Sequence, residues 1–107
     1  MAGNIIEITK DNFDDVRTKN KSLVIDCWAA WCGPCKMMGP IFEKLATENG
    51  SKAAFGKIDC DKNPELARKL KVMAIPTLLF FKDGESVDEI VGLVPKEDIE
   101  ETLRKHF

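Results

Sequence analysis

Apolar residues in this chain follow two rhythms, alternation at every second position and recurrence at three- and four-residue steps, and the switches between them mark out the elements. Ile5 to Thr9 alternates weakly and predicts a short strand. Asp11 then reads as a helix cap, with a helix to about Lys19 that turns Phe13 and Val16 inward, and Asn20-Lys21 as a turn. Ser22 to Ala29 is nearly unbroken apolar sequence, the pattern of a central strand covered on both faces. From Pro34 to about Asn49, the residues Met37, Met38, Ile41, Phe42, Leu45 and Ala46 recur at helical spacing, closed by Gly50 and with a kink expected at Pro40.

Ala53 to Cys60 returns as a strand. Asn63 and Pro64 suit the cap and first turn of a short third helix. Thr77 to Lys82 and Ser86 to Val91 are two further strands, joined by the hairpin signal Asp83-Gly84. The last helix is expected from Pro95 to about His106, acidic at its start and basic at its end as the helix dipole favours. Glu100 with Arg104 and Glu101 with Lys105 are candidate i,i+4 pairs. The order βαβαβαββα predicts an α/β fold, a mixed sheet with helices on both faces. No composition shift, repeat or linker divides the chain, so a single domain over residues 1–107 is expected.

Composition narrows the function. At 44% hydrophobic and 32% charged residues the chain is ordinary globular material. Sixteen basic against eighteen acidic side chains, interspersed, give a net charge of -2, which argues against nucleic acid as a partner. The longest apolar stretch, Met73 to Phe81, is broken by Pro76 and Thr77 and falls short of the roughly 20 residues a membrane helix needs. The opening residues lack the pattern of a secretory signal, which makes the cytoplasm the default location and a monomer the default state.

The chemistry is carried by cysteine. Cys32 and Cys35 sit where the apolar strand run ends and the long helix begins, and one helical turn places their Cα atoms about 5 Å apart, within disulfide reach. Gly33 allows close approach of another backbone, and Pro34 stiffens the ring at a position where its missing N–H is harmless. Unpaired amides and the positive end of a helix dipole favour thiolate, the attacking species. On this reading Cys32 is the exposed nucleophile and Cys35 the shielded second thiol. Zinc is disfavoured, since a closed site takes four ligands and the sequence has no second close pair. Cys27 and Cys60 read as inert packing in strands.

The stretches VIDCWAAWCGPCK, IDCDKNP and AIPTLLFFKDGE, followed by Gly92, resemble the thioredoxin family over nearly the whole length. The resemblance implies a thioredoxin fold with a central five-stranded mixed sheet and a thiol–disulfide oxidoreductase that reduces protein disulfides. In that scheme Cys32 attacks the target, a mixed disulfide forms, and Cys35 releases it, with no cofactor beyond the Cys32–Cys35 disulfide. It also implies a buried carboxylate, Asp26, that helps deprotonate Cys35, with Lys57 near it; burial raises such a carboxyl toward the range of a general base. Pro76 matches a cis-proline facing the cysteines, and Trp31, Ile75 and Gly92 match a groove for an extended target segment. The implied partners are disulfide-containing proteins and a thioredoxin reductase. Cys27 stands where Phe is usual, Ala74 where Gly or Ser is frequent beside Pro76, and Pro95 where a polar cap is common. A binding module on the same fold with incidental redox chemistry is the alternative. An oxidase or isomerase of secreted proteins is disfavoured by Gly33-Pro34 between the cysteines, where those relatives usually carry His.

Overall fold

The computed structural model describes residues 5–107. Five strands, β1 (Ile5–Ile8), β2 (Ser22–Trp28), β3 (Ala54–Asp59), β4 (Thr77–Lys82) and β5 (Glu85–Val91), alternate with helices α1 (Phe13–Lys19), α2 (Gly33–Asn49), α3 (Pro64–Lys69) and α4 (Lys96–His106). The sheet order is β1-β3-β2-β4-β5. β3 runs parallel to β1 and β2, whereas β4 pairs antiparallel with β2 and β5. The strand with the unbroken apolar run, β2, therefore lies at the centre, as its burial on both faces requires.

Alternation along β2 divides the core in two. Val24 points to the face covered by α2 and α4, where Met38, Phe42, Leu45, Ile99 and Leu103 pack with Phe55 and Phe80. Leu23, Ile25 and Cys27 point to the other face, against Phe13 and Val16 of α1 and Leu66 of α3. Asp26 follows the parity of Val24 and is 1% exposed.

Several boundaries move from their expected places. The residue capping α1 is Asn12 and not Asp11, and its side chain ties the preceding loop instead of the helix: Oδ1 accepts from the Thr9 amide at 2.7 Å and Nδ2 donates to Glu7 carbonyl at 2.9 Å. Asn63 likewise precedes α3 without a side-chain capping bond, its Oδ1 accepting from the Lys10 amide at 3.2 Å. Pro95 lies outside α4 as its cap, with an extended ψ of 150°, so this helix begins at Lys96 and not at Pro95. Gly50 does follow α2, at a helical φ of -61° and not the left-handed φ usual for a closing glycine. Its missing Cβ leaves room beside the Ala46 carbonyl, 3.2 Å from where that atom would stand. The element α2 continues through Pro40. Asp83 and Gly84 both have positive φ, 53° and 84°, as a two-residue hairpin turn between right-twisted strands demands.

On α4 the ion pairs formed run from Lys96 to Glu48 of α2 at 2.6 Å and to Glu100 at 3.9 Å. His106, expected only as a favourable charge at a helix end, places Nε2 2.9 Å from Asp88 Oδ2 of β5.

Candidate active site

The site forms where β2 stops and α2 starts, at the carboxyl end of the parallel strands, the edge at which α/β sheets gather functional groups. After Trp28 the chain turns through Ala29 to Trp31, and the Cys32 amide donates back to the Ala29 carbonyl at 3.2 Å. Cys32 is the cap of α2, with extended ψ, and its sulfur accepts from the Cys35 amide at 3.2 Å. A first-turn amide with no partner inside the helix is thus aimed at the sulfur that would carry negative charge. Pro34 sits in that turn, where its lack of an N–H leaves no helix bond unmade. Cys32 and Cys35 are joined as a disulfide with Cα atoms 5.2 Å apart, the separation one helical turn predicts.

The two cysteines are covered almost equally, Cys32 being 4% and Cys35 5% exposed, so the expectation of an exposed Cys32 beside a shielded Cys35 is corrected. What separates them is direction. Cys32 opens on a groove of about 450 Å³ lined also by Trp31, Gly33, Pro34, Ala74 and Ile75. Cys35 opens on a cavity of about 320 Å³ that it shares with Asp26, Lys57, Trp28, Lys36 and Gly39. Trp28 and Ile75 close over the disulfide together with Ala29, which is why neither sulfur stands free.

The groove has an exposed rim and a hydrogen-bonded floor. Trp31 is 69% and Met73 93% exposed and both line this groove, a contiguous apolar surface of the kind that marks an interaction site. The Ile75–Pro76 peptide is cis, and the Ile75 carbonyl lies 3.8 Å from Cys32 Sγ. Pro76 itself is buried behind this edge rather than lining the groove. The Thr77 hydroxyl donates to the Ala74 carbonyl, and the Gly92 amide to the Pro76 carbonyl at 2.8 Å, which holds the segment 74–77 against the end of β5. Gly92 has φ of +92°, a conformation that demands glycine. At Gly33 a Cβ would meet nothing within 4 Å, so the space above it is open to an incoming chain.

Asp26 faces Lys57 across the parallel β2–β3 pair. Burial pushes its pKa up to about 6, against the pull of the Lys57 charge. Its Oδ1 has no hydrogen-bond partner among the described residues, so no hydrogen bond at that atom favours the charged form.

Two groove residues escaped the sequence reading. Met73 reads as ordinary apolar material before the Ile-Pro signal. Cys60 reads as strand packing, yet it lies one residue past β3, is half-buried, and lines the groove with Cys32. Its place just beyond the strand's last residue, Asp59, was the available signal. Cys27, by contrast, is fully buried as expected.

The thioredoxin family model matches residues 4–105. The chain belongs to the thioredoxin family. It is 51% identical over 103 residues to thioredoxin of Staphylococcus saprophyticus, covering 96% of this chain and 98% of that protein. It is 47% identical, with the same coverage, to thioredoxin of Staphylococcus aureus. Among solved structures, a variant thioredoxin of Halobacterium salinarum superposes with a TM-score of 0.89 at 36% identity, covering 99% of this chain and 95% of that one. The thioredoxin of Malassezia sympodialis gives 0.88 at 40% identity, over 97% and 91%. Family membership and the linked Cys32–Cys35 pair together establish the chain as a thiol–disulfide oxidoreductase.

Proposed function

We propose that this protein acts as a cytoplasmic reductant of disulfides in other proteins, the whole chain working as one domain, with Cys32 as nucleophile and Cys35 as resolving thiol. The observation that carries the division of labour is that the two sulfurs of one disulfide open to different spaces, Cys32 to the target groove and Cys35 to the cavity holding Asp26. In the reduced state the Cys32 thiolate, supported by the Cys35 amide, attacks one sulfur of a target disulfide. That bond breaks, the other target sulfur leaves as thiolate, and a mixed disulfide joins Cys32 to the target.

Cys35 then gives its proton to Asp26, whose pKa of about 6 suits a base at neutral pH. The cavity between them is wide enough for the proton to pass through a water molecule. The Cys35 thiolate attacks Cys32 Sγ, the target leaves with both sulfurs reduced, and the disulfide seen here is restored. Two electrons have passed to the target, and a thioredoxin reductase supplies two more to reduce the Cys32–Cys35 bond again. Lys57 keeps the Asp26 pKa from rising further and so holds it in the useful range.

Trp31, Gly33, Pro34, Ala74 and Ile75 receive the extended target segment, while Pro76 and Gly92 hold the floor in place behind them. The floor offers the Ile75 backbone as a partner, which suits a reductant of many targets because main-chain bonds are blind to sequence. Among the described residues no helix is long and apolar enough to cross a membrane.

The test is a pair of variants against a disulfide-bonded protein substrate such as insulin. Cys32→Ser abolishes reduction and forms no adduct. Cys35→Ser accumulates a covalent complex through Cys32 that excess dithiothreitol dissolves. A complex formed by Cys32→Ser instead would exchange the two roles.

A further inference from the structure

The register of the sheet sets one cation between two carboxylates. Lys57 of β3 pairs with Glu7 of β1 on one side and with Asp26 of β2 on the other. Parallel register partners project to the same face, and alternation from Ile5 and Val24 puts all three on the face covered by α2 and α4. Two strand spacings hold Glu7 and Asp26 about 10 Å apart, with the Lys57 stem rising between them.

Lys57 is also a wall common to two cavities. Toward Asp26 it lines the cavity of about 320 Å³ that holds Cys35. Toward Glu7 it lines a second, of about 270 Å³, shared with Ile5, Ile6, Asp59 and Lys62. The Lys57 ammonium forms no ion pair with any described residue, and its flexible four-carbon stem lets it lean to either side.

We propose that Glu7 is a positioning residue for the resolving step, its carboxylate drawing the Lys57 ammonium outward so that Asp26 is left free to take the Cys35 proton. This rests on Asp26 acting as the base, as proposed above. The Lys57 charge is the one that works against burial at Asp26. Glu7 weakens that pull by offering the ammonium a second anion, and its own negative charge also disfavours a charged Asp26, so both effects have the same sign. Without Glu7 the ammonium would settle against Asp26 and make it a weaker base.

The other groups facing Asp26 are accounted for element by element. From α2 the cavity receives Cys35 and Lys36, β4 sets Leu78 opposite Asp26, and α4 turns Ile99 and Leu103 to this face. On the outer side Asp59 assists Glu7 and Lys62 opposes it. Cys27 and Cys60 interact with the Asp26 charge from the other face of the sheet.

The experiment follows the Asp26 carboxyl carbon by NMR through a pH titration of the oxidised protein, in which the Cys32–Cys35 bond leaves Cys35 no proton to exchange. Glu7 is exposed on the edge strand β1, so its variants keep the fold. Glu7→Gln lowers the Asp26 midpoint by about half a pH unit, and Glu7→Asp, which keeps the charge, recovers most of that shift. Lys57→Met raises the midpoint, and Glu7→Gln made in that background moves it by less than about half as much, the non-additivity of a residue that acts through Lys57. In single-turnover kinetics with a protein disulfide, the pH profile of mixed-disulfide release moves down together with the midpoint in Glu7→Gln.

An Asp26 midpoint unmoved in Glu7→Gln would overturn the proposal. So would an equal shift with and without Lys57, which would make Glu7 a distant charge and nothing more. A midpoint that falls while the release profile stays in place overturns the role in resolving, and the fault then lies in the reading of Asp26 as the base and not in the link between Glu7 and Lys57.

Discussion

Asp26 shows what burial does to a single side chain. It holds its proton up to about pH 6 in the fold but only to 3.8 ordinarily. The folded state binds that proton more tightly than the unfolded state, so the part of the stability that depends on Asp26 is fully present below about pH 3.8 and declines as pH climbs through about 6. Above both values the penalty levels off at about 3 kcal/mol. Asp26→Asn is therefore expected to stabilise the protein by ~2–3 kcal/mol at about pH 8 and by little at about pH 4, read from denaturant unfolding at the two pH values. A gain of the same size at both would show that charge is not its origin. The same variant is expected to slow release of the mixed disulfide more than its formation, in single-turnover kinetics with the two steps resolved. Equal slowing would remove Asp26 from the resolving step. Its burial could be read from the apolar neighbours Val24 and Ile25, whereas the unpartnered Oδ1 and the shared cavity with Cys35 could not.

Among the elements, β3 and the β4–β5 hairpin place the strictest demands on glycine. A Cβ on Gly56 would stand 2.5 Å from Ile8 Cδ1 and 3.2 Å from the Ile6 carbonyl, so a side chain here would have to displace the buried Ile8 and press on the backbone of β1. Gly56→Ala is expected to destabilise by ~1–3 kcal/mol, measured as a fall in the urea midpoint at unchanged slope. Gly84, with φ of +84°, is a milder case: Gly84→Ala is expected to lose about 1 kcal/mol or somewhat more, while Gly84→Asn, tolerant of positive φ, loses less. The hairpin was legible because Asp-Gly has few other uses between two apolar runs. The caps were less so. Asp11 and Asn12 are chemically equivalent candidates, and only contact with Glu7 and Thr9 selects the second.

For the molecule as a whole, two apolar layers on either side of one sheet hold the redox turn in place. The layer under α2 and α4 centres on Phe42, which meets Phe55 edge to face with centroids 5.5 Å apart. Phe42→Ala is expected to lower stability by ~3–5 kcal/mol, since the ring is fully enclosed and the strands beneath cannot collapse into the space. Thermal or denaturant unfolding checks it, and a loss below about 1 kcal/mol would mean this layer is far more plastic than its packing implies. The ion pair of Lys96 with Glu48 joins the same two helices but is partly solvated, and Lys96→Met is expected to change stability by less than about 1 kcal/mol.

The sequence by itself determined the order of elements, the central place of β2 and the position of a closable cysteine pair at the start of α2. These follow from local rules, since periodicity, turn residues and the reach of one helical turn involve only neighbours along the chain. The tertiary structure alone decided that Cys32 and Cys35 open to different spaces and that Cys60 shares the groove with Cys32. Each of these depends on which strands lie side by side and at what register. Alternation tells which residues of one strand share a face, but a residue's neighbours across the sheet come from segments far away in sequence, and only the packed fold brings them together.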